Sequence, residues 1–227
     1  MSATPDNSAP ENRPALTLTD LRRMKAEGEK IACLTAYESS FMKLEDRAGV
    51  DVVLVGDSLG MVVQGLDTTV PVTMDDMVYH ARATARGTQR AFLMVDMPFM
   101  SYATPEQALD NAVRLMQEGS ARMVKLEGGE TQAEIVAFLT ERGIPVCAHI
   151  GLTPQHVHKL GGFRVQGRED ASAQQMLRDA RALEDAGADV LLIECVPSAL
   201  GAEVTKQSQV PVIGIGAGPD VDGQILV

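Results

Sequence analysis

Eight short apolar runs, most of them separated by amphipathic segments, limit the folds that this chain can adopt. The runs are typical of strands buried on both faces and predict strands at 31–35, 52–56, 91–96, 123–127, 145–150, 189–194, 210–215 and 225–227. Helices are predicted at 16–29, 39–48, 73–86, 104–118, 130–142, 171–186 and 198–207, several of them ending before a glycine.

Helices between successive buried strands indicate right-handed crossovers and a parallel sheet. Eight such strands favour an α/β fold of the closed (β/α)₈ type, the TIM barrel, over a doubly wound sheet. Such barrels have about 250 residues, so we expect this one to lack the C-terminal helical part. We predict a single barrel catalytic domain at 16–227, preceded by a disordered tail at 1–15 that is rich in Ser, Asn, Pro and Ala.

Composition excludes several classes of function. A net charge of −11 argues against a nucleic-acid partner, which requires a basic face. No apolar run approaches the length of a membrane span, and the N-terminal segment lacks the features of a signal peptide. Three cysteines without C-x-x-C spacing predict neither disulfides nor a zinc site. We therefore expect a cytoplasmic protein that acts on small molecules.

Six ionisable residues lie at or directly after the carboxyl ends of five of the apolar runs. The active site of a (β/α)₈ barrel lies at the carboxyl ends of its strands. One or two polar residues there would be ordinary turn residues, but six around one rim indicate a functional site. The six are Asp57, Asp96, Lys125, Glu127, His149 and Glu194.

The acidic members of this set suggest a bound cation. Asp57, Asp96 and Glu127 supply hard oxygen ligands, and Mg²⁺ takes one or two carboxylates together with several waters. The alternative is a salt-bridge network with Lys125 and a neighbouring Arg. We favour the metal because the six groups include four acids but only one Lys and one His.

Lys125 has two possible roles in such a barrel. It could be a Schiff-base nucleophile, or a fixed cation for a substrate carboxylate. Glu127 lies two residues further on, and alternate residues share one face of a strand. With that acid nearby, we favour the charge-pairing role of Lys125 over the nucleophile.

His149 and Glu194 each allow a functional and a structural interpretation. His149 could donate a hydrogen bond to a substrate oxygen or be a satisfied core histidine. Glu194 could be a general base set in an apolar wall. Alternatively, it could pair with an arginine such as Arg164 or Arg168.

Several motifs in collinear order resemble the ketopantoate hydroxymethyltransferase family, which acts in pantothenate biosynthesis. They are Leu-Val-Gly-Asp-Ser-Leu-Gly-Met at 54–61, Val-Gln-Gly at 63–65, Pro-Val-Thr at 71–73, Met-Pro-Phe-Met-Ser-Tyr at 97–102, Val-Lys-Leu-Glu-Gly-Gly at 124–129, His-Ile-Gly-Leu-Thr-Pro-Gln at 149–155 and Gly-Ile-Gly-Ala-Gly at 214–218. The resemblance extends from about residue 18 to residue 227.

This resemblance implies a Mg²⁺-dependent (β/α)₈ enzyme that uses 5,10-methylenetetrahydrofolate as co-substrate. Asp57 and Asp96 are implied to bind the metal, and Glu127 to belong to the metal site directly or through water. The implied residues for binding the 2-oxo acid are Asp57, Ser58, Asp96, Lys125 and His149. Glu194 is implied to be the base that removes a proton from 3-methyl-2-oxobutanoate.

The resemblance also implies a homo-oligomer, since the family is decameric. Members usually carry Asp where this chain has Glu38, and they continue beyond the eighth strand. Two alternatives stay open. One is another Mg²⁺ barrel for 2-oxo acids, of the phosphoenolpyruvate mutase and isocitrate lyase kind, although the Lys-Lys-Cys-Gly-His loop of the lyase is absent from the sequence. The other is an inactive barrel.

Overall fold

The computed structural model describes residues 14–227, so most of the predicted tail at 1–15 lies outside the described residues. The described part contains eight parallel strands that form a closed barrel in sequence order. Their bounds are β1 Ile31–Thr35, β2 Val52–Val55, β3 Phe92–Asp96, β4 Met123–Glu127, β5 Val146–Gly151, β6 Val190–Glu194, β7 Val212–Ile215 and β8 Gly223–Leu226. The predicted (β/α)₈ fold is confirmed.

Helices surround the barrel and connect its strands. Their bounds are α1 Leu18–Glu27, α2 Ser39–Ala48, α3 Leu59–Val62, α4 Met74–Ala85, α5 Pro105–Gln117, α6 Ala133–Thr140, α7 Val157–Leu160, α8 Asp170–Asp185 and α9 Ser198–Gln207. Local sequence sets where several of them begin. Thr17 and Thr73 each form a capping box with an Asp three residues later, which satisfies free backbone N–H groups at the helix start.

The structure differs from the sequence prediction in a few elements. The short helices α3 and α7 were not predicted, because four residues are too few to show a helical period. The helix predicted at 130–142 begins as a 3₁₀ turn, Glu130–Gln132, and continues as α6. Strand β8 begins at Gly223 rather than at residue 225, and a Cβ at Gly223 would lie 2.5 Å from the Ile31 carbonyl oxygen. Only glycine allows β8 to approach β1 so closely.

Two groups of apolar side chains hold the barrel together. The larger one lies between the strands and the surrounding helices. The smaller one fills the barrel interior and includes Leu21 and Met24 of α1, which packs against the amino-terminal ends of the strands. With that end closed, the carboxyl ends of the strands form the open mouth of the barrel. No helix in residues 14–227 combines the length and apolar character required to cross a bilayer.

Candidate active site

The mouth of the barrel gathers all seven residues that the sequence analysis selected. They line one cavity of about 320 Å³, together with apolar side chains such as Leu54, Leu192 and Ile215. The seven are Asp57, Ser58, Asp96, Lys125, Glu127, His149 and Glu194. Ser58 and Glu194 are half-buried and the other five are buried. The structure therefore places these groups together, while their individual roles stay predictions.

The register of the parallel strands explains this convergence. Asp96 at the end of β3 is aligned with Lys125 on β4, and Glu127 on β4 is aligned with His149 on β5. Neighbouring residues in register point to the same face of the sheet. Because that face is the barrel interior, the four side chains meet inside the barrel near its mouth.

Lys125 pairs with Asp96 rather than with Glu127. Its Nζ lies 2.9 Å from Asp96 Oδ1, and no ion pair between Lys125 and Glu127 is present in the part of the chain that the structure describes. The direct partner of Lys125 thus lies on β3, the neighbouring strand. Burial opposes the charged form of Lys125, but the carboxylates of Asp96, Glu127 and Asp57 outweigh it and raise the lysine pKa above its ordinary value.

His149 lies between the lysine and two acids. Its Nδ1 is 3.1 Å from Lys125 Nζ and 3.5 Å from Glu127 Oε1, and its Nε2 is 3.3 Å from Glu194 Oε2. An ammonium group has no lone pair, so it can only donate to Nδ1. Nδ1 therefore faces one group that can only donate, Lys125 Nζ, and one that can only accept, the ionised carboxylate of Glu127. The contact with Glu194 is not aligned as a hydrogen bond.

The surroundings of His149 and Glu194 bear on the alternatives considered for each, while their roles stay predictions. His149 is buried and faces charged groups of the cavity. Among the described ion pairs, Glu194 contacts His149 and neither of the arginines considered from the sequence, Arg164 and Arg168. Its side chain is 21% exposed, which leaves the carboxylate accessible from the cavity.

Asp57 is held by hydrogen bonds, and it forms no ion pair with any residue in 14–227. Its backbone N–H donates to Asp96 Oδ2 at 3.0 Å, and its Oδ2 accepts from Gln155 Nε2 at 2.9 Å. Burial and the nearby carboxylates of Asp96 and Glu127 raise the pKa of Asp57 well above its ordinary value of 3.8. The site therefore has an excess of negative charge at this residue.

Glu127 is better stabilised as an anion. Although burial opposes its charge, His149, Lys125 and the backbone N–H of Gln155 together lower the pKa of Glu127. The N–H of Gln155 lies 3.0 Å from Glu127 Oε2. The mouth thus combines four acidic side chains with one lysine and one histidine.

This donor set suits a divalent cation with oxygen ligands. Asp96 Oδ1 is buried and lacks an aligned hydrogen bond, although Lys125 Nζ is nearby. Within residues 14–227, no three His, Cys, Asp or Glu side chains form a ready-made metal cage. One or two carboxylates completed by water or substrate oxygens are, however, the usual protein ligands of Mg²⁺. Asp57 and Asp96 could hold such an ion.

Three neutral side chains at the site were missed by the sequence analysis. Tyr37 Oη lies 2.8 Å from Ser58 Oγ, while Tyr102 and Gln155 contact each other and Glu127. The search for ionisable groups at strand ends could not find neutral residues. Tyr102 and Gln155 nevertheless lie within the motifs at 97–102 and 149–155, which was the available signal.

The sequence of the chain matches known proteins along almost its whole length. A family model described as ketopantoate hydroxymethyltransferase matches residues 15–227. A relative from Alkalilimnicola ehrlichii, named 3-methyl-2-oxobutanoate hydroxymethyltransferase, is 64% identical over 96% of this chain and 79% of its own length. A relative of the same name from Nitrosococcus oceani is 62% identical over 93% of this chain and 80% of its own length.

Solved structures share the fold at much lower identity. A phosphonopyruvate hydrolase in complex with oxalate and Mg²⁺ superimposes with a TM-score of 0.70 at 17% identity, over 92% of this chain and 79% of that one. A 2,3-dimethylmalate lyase of the PEP mutase/isocitrate lyase superfamily gives a TM-score of 0.64 at 17% identity, over 92% of this chain and 80% of that one. These likenesses support the barrel architecture alone.

Proposed function

The chain belongs to the ketopantoate hydroxymethyltransferase family, and from this we propose that it transfers a hydroxymethyl group from 5,10-methylenetetrahydrofolate to 3-methyl-2-oxobutanoate. The product is 2-dehydropantoate (ketopantoate), an intermediate of pantothenate and coenzyme A biosynthesis. The observation that carries the proposal is the convergence of the seven predicted residues on one cavity at the barrel mouth.

The acidic side of the cavity is the proposed metal site. Asp57 and Asp96 would bind Mg²⁺, and Glu127 would belong to the site directly or through water. The excess of carboxylates over cations and the unaligned Oδ1 of Asp96 support this assignment. A bound Mg²⁺ ion acts as a Lewis acid that draws electron density from a keto oxygen and acidifies the adjacent C–H bond.

The other side chains position the 2-oxo acid and move its proton. Ser58 and Lys125 would orient the substrate carboxylate, an effect that lowers the entropy cost of the reaction. Asp57, Asp96 and His149 would contact the keto-acid end. Glu194, half-buried beside His149, would accept the proton from C3. C3 would then form its bond to the methylene carbon of the folate, and both C–N bonds of that carbon would break. Water would supply the hydroxyl group. Its second hydrogen and the proton taken from C3 would go to the two folate nitrogens, so that tetrahydrofolate leaves.

An assay of product formation tests the proposal. Purified protein, 3-methyl-2-oxobutanoate and methylenetetrahydrofolate should yield ketopantoate, EDTA should abolish turnover, and excess Mg²⁺ should restore it. Turnover that is insensitive to EDTA would contradict the metal assignment. Mg²⁺-dependent binding of the oxo acid without turnover would identify an inactive barrel. Activity on isocitrate or oxaloacetate instead would assign the site to lyase or mutase chemistry.

We also propose that the chain works in the cytoplasm as a homo-oligomer, a decamer as its family implies. An exposed apolar group supports an interface between copies: Phe41 and Leu44 on α2 are 66% and 60% exposed, and Tyr79 on the adjacent α4 is 62% exposed. Sedimentation velocity measures the assembly, and a monomer at micromolar concentration would contradict it.

A further inference from the structure

Gln155 is a buried neutral side chain that contacts two of the proposed metal acids. It lies in the 3₁₀ turn Pro154–His156 after β5 and is 2% exposed. Its Nε2 donates to Asp57 Oδ2 at 2.9 Å and to the Met97 carbonyl oxygen at 2.9 Å, while its Oε1 accepts from Tyr102 Oη. Because a carboxylate and a carbonyl can only accept, the orientation of the amide is fixed.

The same residue reaches the second acid through its backbone. The N–H of Gln155 donates to Glu127 Oε2 at 3.0 Å, and Tyr102 Oη accepts from the Glu127 backbone N–H at 3.2 Å. Gln155 and Tyr102 therefore close a ring of hydrogen bonds that joins Asp57 to Glu127. We call these two residues the amide clamp.

We propose that Gln155 is a positioning residue that holds the Asp57 and Glu127 carboxylates in the arrangement that binds the divalent cation. The inference rests on the proposed function, because it takes these acids as the metal site. A neutral amide suits this role better than a lysine or arginine. It orients Asp57 by hydrogen bonding without cancelling the negative charge that attracts the cation.

The amide clamp differs from an ordinary buried hydrogen bond in its effect on cation affinity. Outer groups that orient metal ligands commonly change metal affinity by about 10–100-fold when they are removed. A purely structural hydrogen bond would change stability alone. Thr84, buried on α4, offers a matched comparison because its Oγ1 donates to the Ala36 carbonyl oxygen, a backbone group outside the site.

The test measures Mn²⁺ binding without substrate, using the signal of free Mn²⁺ in electron paramagnetic resonance, for wild type, Gln155→Met and Thr84→Val. Methionine keeps the length of the side chain and removes its hydrogen bonds. We expect Gln155→Met to weaken Mn²⁺ binding by at least about tenfold and Thr84→Val to leave it within twofold of wild type. Thermal unfolding, followed by circular dichroism, establishes that each variant is folded.

Equal affinities of wild type and folded Gln155→Met would overturn the amide clamp while leaving the metal site intact. Absence of Mn²⁺ binding by wild type would overturn the metal part of the proposed function and the clamp with it. Should Gln155→Met fail to fold, Tyr102→Phe provides the second variant, since it removes only the hydroxyl that fixes Gln155 Oε1. Wild-type affinity in Tyr102→Phe would then count against the proposal, and weaker binding would support it.

Discussion

Lys125 Nζ lies 2.9 Å from Asp96 Oδ1, and both side chains are only 4% exposed. The ammonium group lies within a cavity that also contains Asp57 and Glu127, so it offsets the charge of more than one acid. Removing one partner of such a buried pair leaves an uncompensated charge, which costs far more than the intact pair contributes.

We predict that Lys125→Met lowers the free energy of unfolding by about 3–5 kcal/mol and abolishes measurable binding of the oxo acid. Urea unfolding and calorimetry check the two effects. Lys25→Met is the control, because Lys25 pairs with Asp222 at 2.6 Å near the start of β8, at the opposite end of the barrel. It should lose stability but keep oxo-acid affinity. Retained affinity in Lys125→Met would exclude Lys125 from the substrate site.

The same pair shows what the sequence could and could not predict. Asp96, Lys125 and Glu127 were identified because ionisable residues at the ends of parallel strands meet at one rim. The direct partner of Lys125 was not predicted. Residues two apart on one strand are about 6.6 Å apart, whereas residues in register on neighbouring strands are about 4.8 Å apart. The alignment of Asp96 with Lys125 depends on the register between β3 and β4, which neither strand shows in its own sequence.

Tyr37, Tyr102 and Gln155, the neutral residues that the sequence analysis missed, lack the ionisable groups by which the other site residues were found. Tyr37 and Gln155 are polar groups in loops, and the loops bring them to Ser58 and Asp57. The strands themselves were predictable, because a short run of apolar residues is the pattern expected of a strand buried on both faces. The neutral contacts depend on loop geometry, which leaves no comparable periodic pattern.

Glu194 provides a prediction about the proton-transfer step. Glu194→Gln should keep oxo-acid affinity close to that of wild type, because the amide has nearly the same shape. It should slow deuterium exchange at C3 of 3-methyl-2-oxobutanoate by about 10²–10⁴-fold, the usual contribution of a general base. Proton NMR in D₂O measures the exchange, with Glu106→Gln at an exposed position of α5 as control. An unchanged exchange rate would remove Glu194 as the base.

Tyr37 should affect substrate affinity through Ser58. Its hydroxyl lies 2.8 Å from Ser58 Oγ, so Tyr37→Phe frees the serine hydroxyl to rotate away from the substrate carboxylate. A lost hydrogen bond worth about 0.5–1.5 kcal/mol predicts a KM about twofold to twelvefold higher, with kcat little changed. Steady-state kinetics provide the measurement. Ser172→Ala, which removes an exposed hydroxyl on α8, should match wild type. Equal KM values for the two variants would contradict the role assigned to Tyr37.

Glu45 lies on α2, outside the active site, and its carboxylate should make the stability of the fold depend on pH. Burial raises the pKa of Glu45 from its ordinary 4.5 to about 7, and its buried Oε2 has no hydrogen-bond donor among the residues that the structure describes. Between these two values the folded chain binds a proton that the unfolded chain releases. Stability due to this group is therefore fully present below pH 4.5 and is lost as the pH rises through about 7.

Glu45→Gln should remove this dependence. The free energy of unfolding of the variant, relative to wild type, should increase from pH 5 to pH 8. The increase should be less than about 1 kcal/mol, because the side chain is partly exposed. Urea unfolding of both proteins at the two pH values measures the difference. Glu134→Gln, at an exposed position of α6, controls for the loss of one carboxylate. A difference between wild type and Glu45→Gln that does not change with pH would contradict the assignment.

Gly151, at the end of β5, lies against the backbone of Glu194, the proposed base. Its φ is +92°, and a Cβ at this position would lie 2.3 Å from the carbonyl oxygen of Glu194. Gly143 also has a positive φ, +81°, but no atom lies within 4 Å of its Cβ position. Gly143→Ala should therefore lower the free energy of unfolding by about 1–2 kcal/mol, the penalty of holding alanine in the left-handed backbone conformation.

Gly151→Ala should cost about 1–3 kcal/mol more than Gly143→Ala, because the added methyl forces backbone atoms apart. The displaced atoms belong to Glu194, so Gly151→Ala should also lose turnover while Gly143→Ala retains it. Denaturant unfolding and the ketopantoate assay measure both properties in each variant. Equal stability losses would show that the end of β5 moves without strain. Full turnover in Gly151→Ala would show that the Glu194 carboxylate does not depend on this close backbone contact.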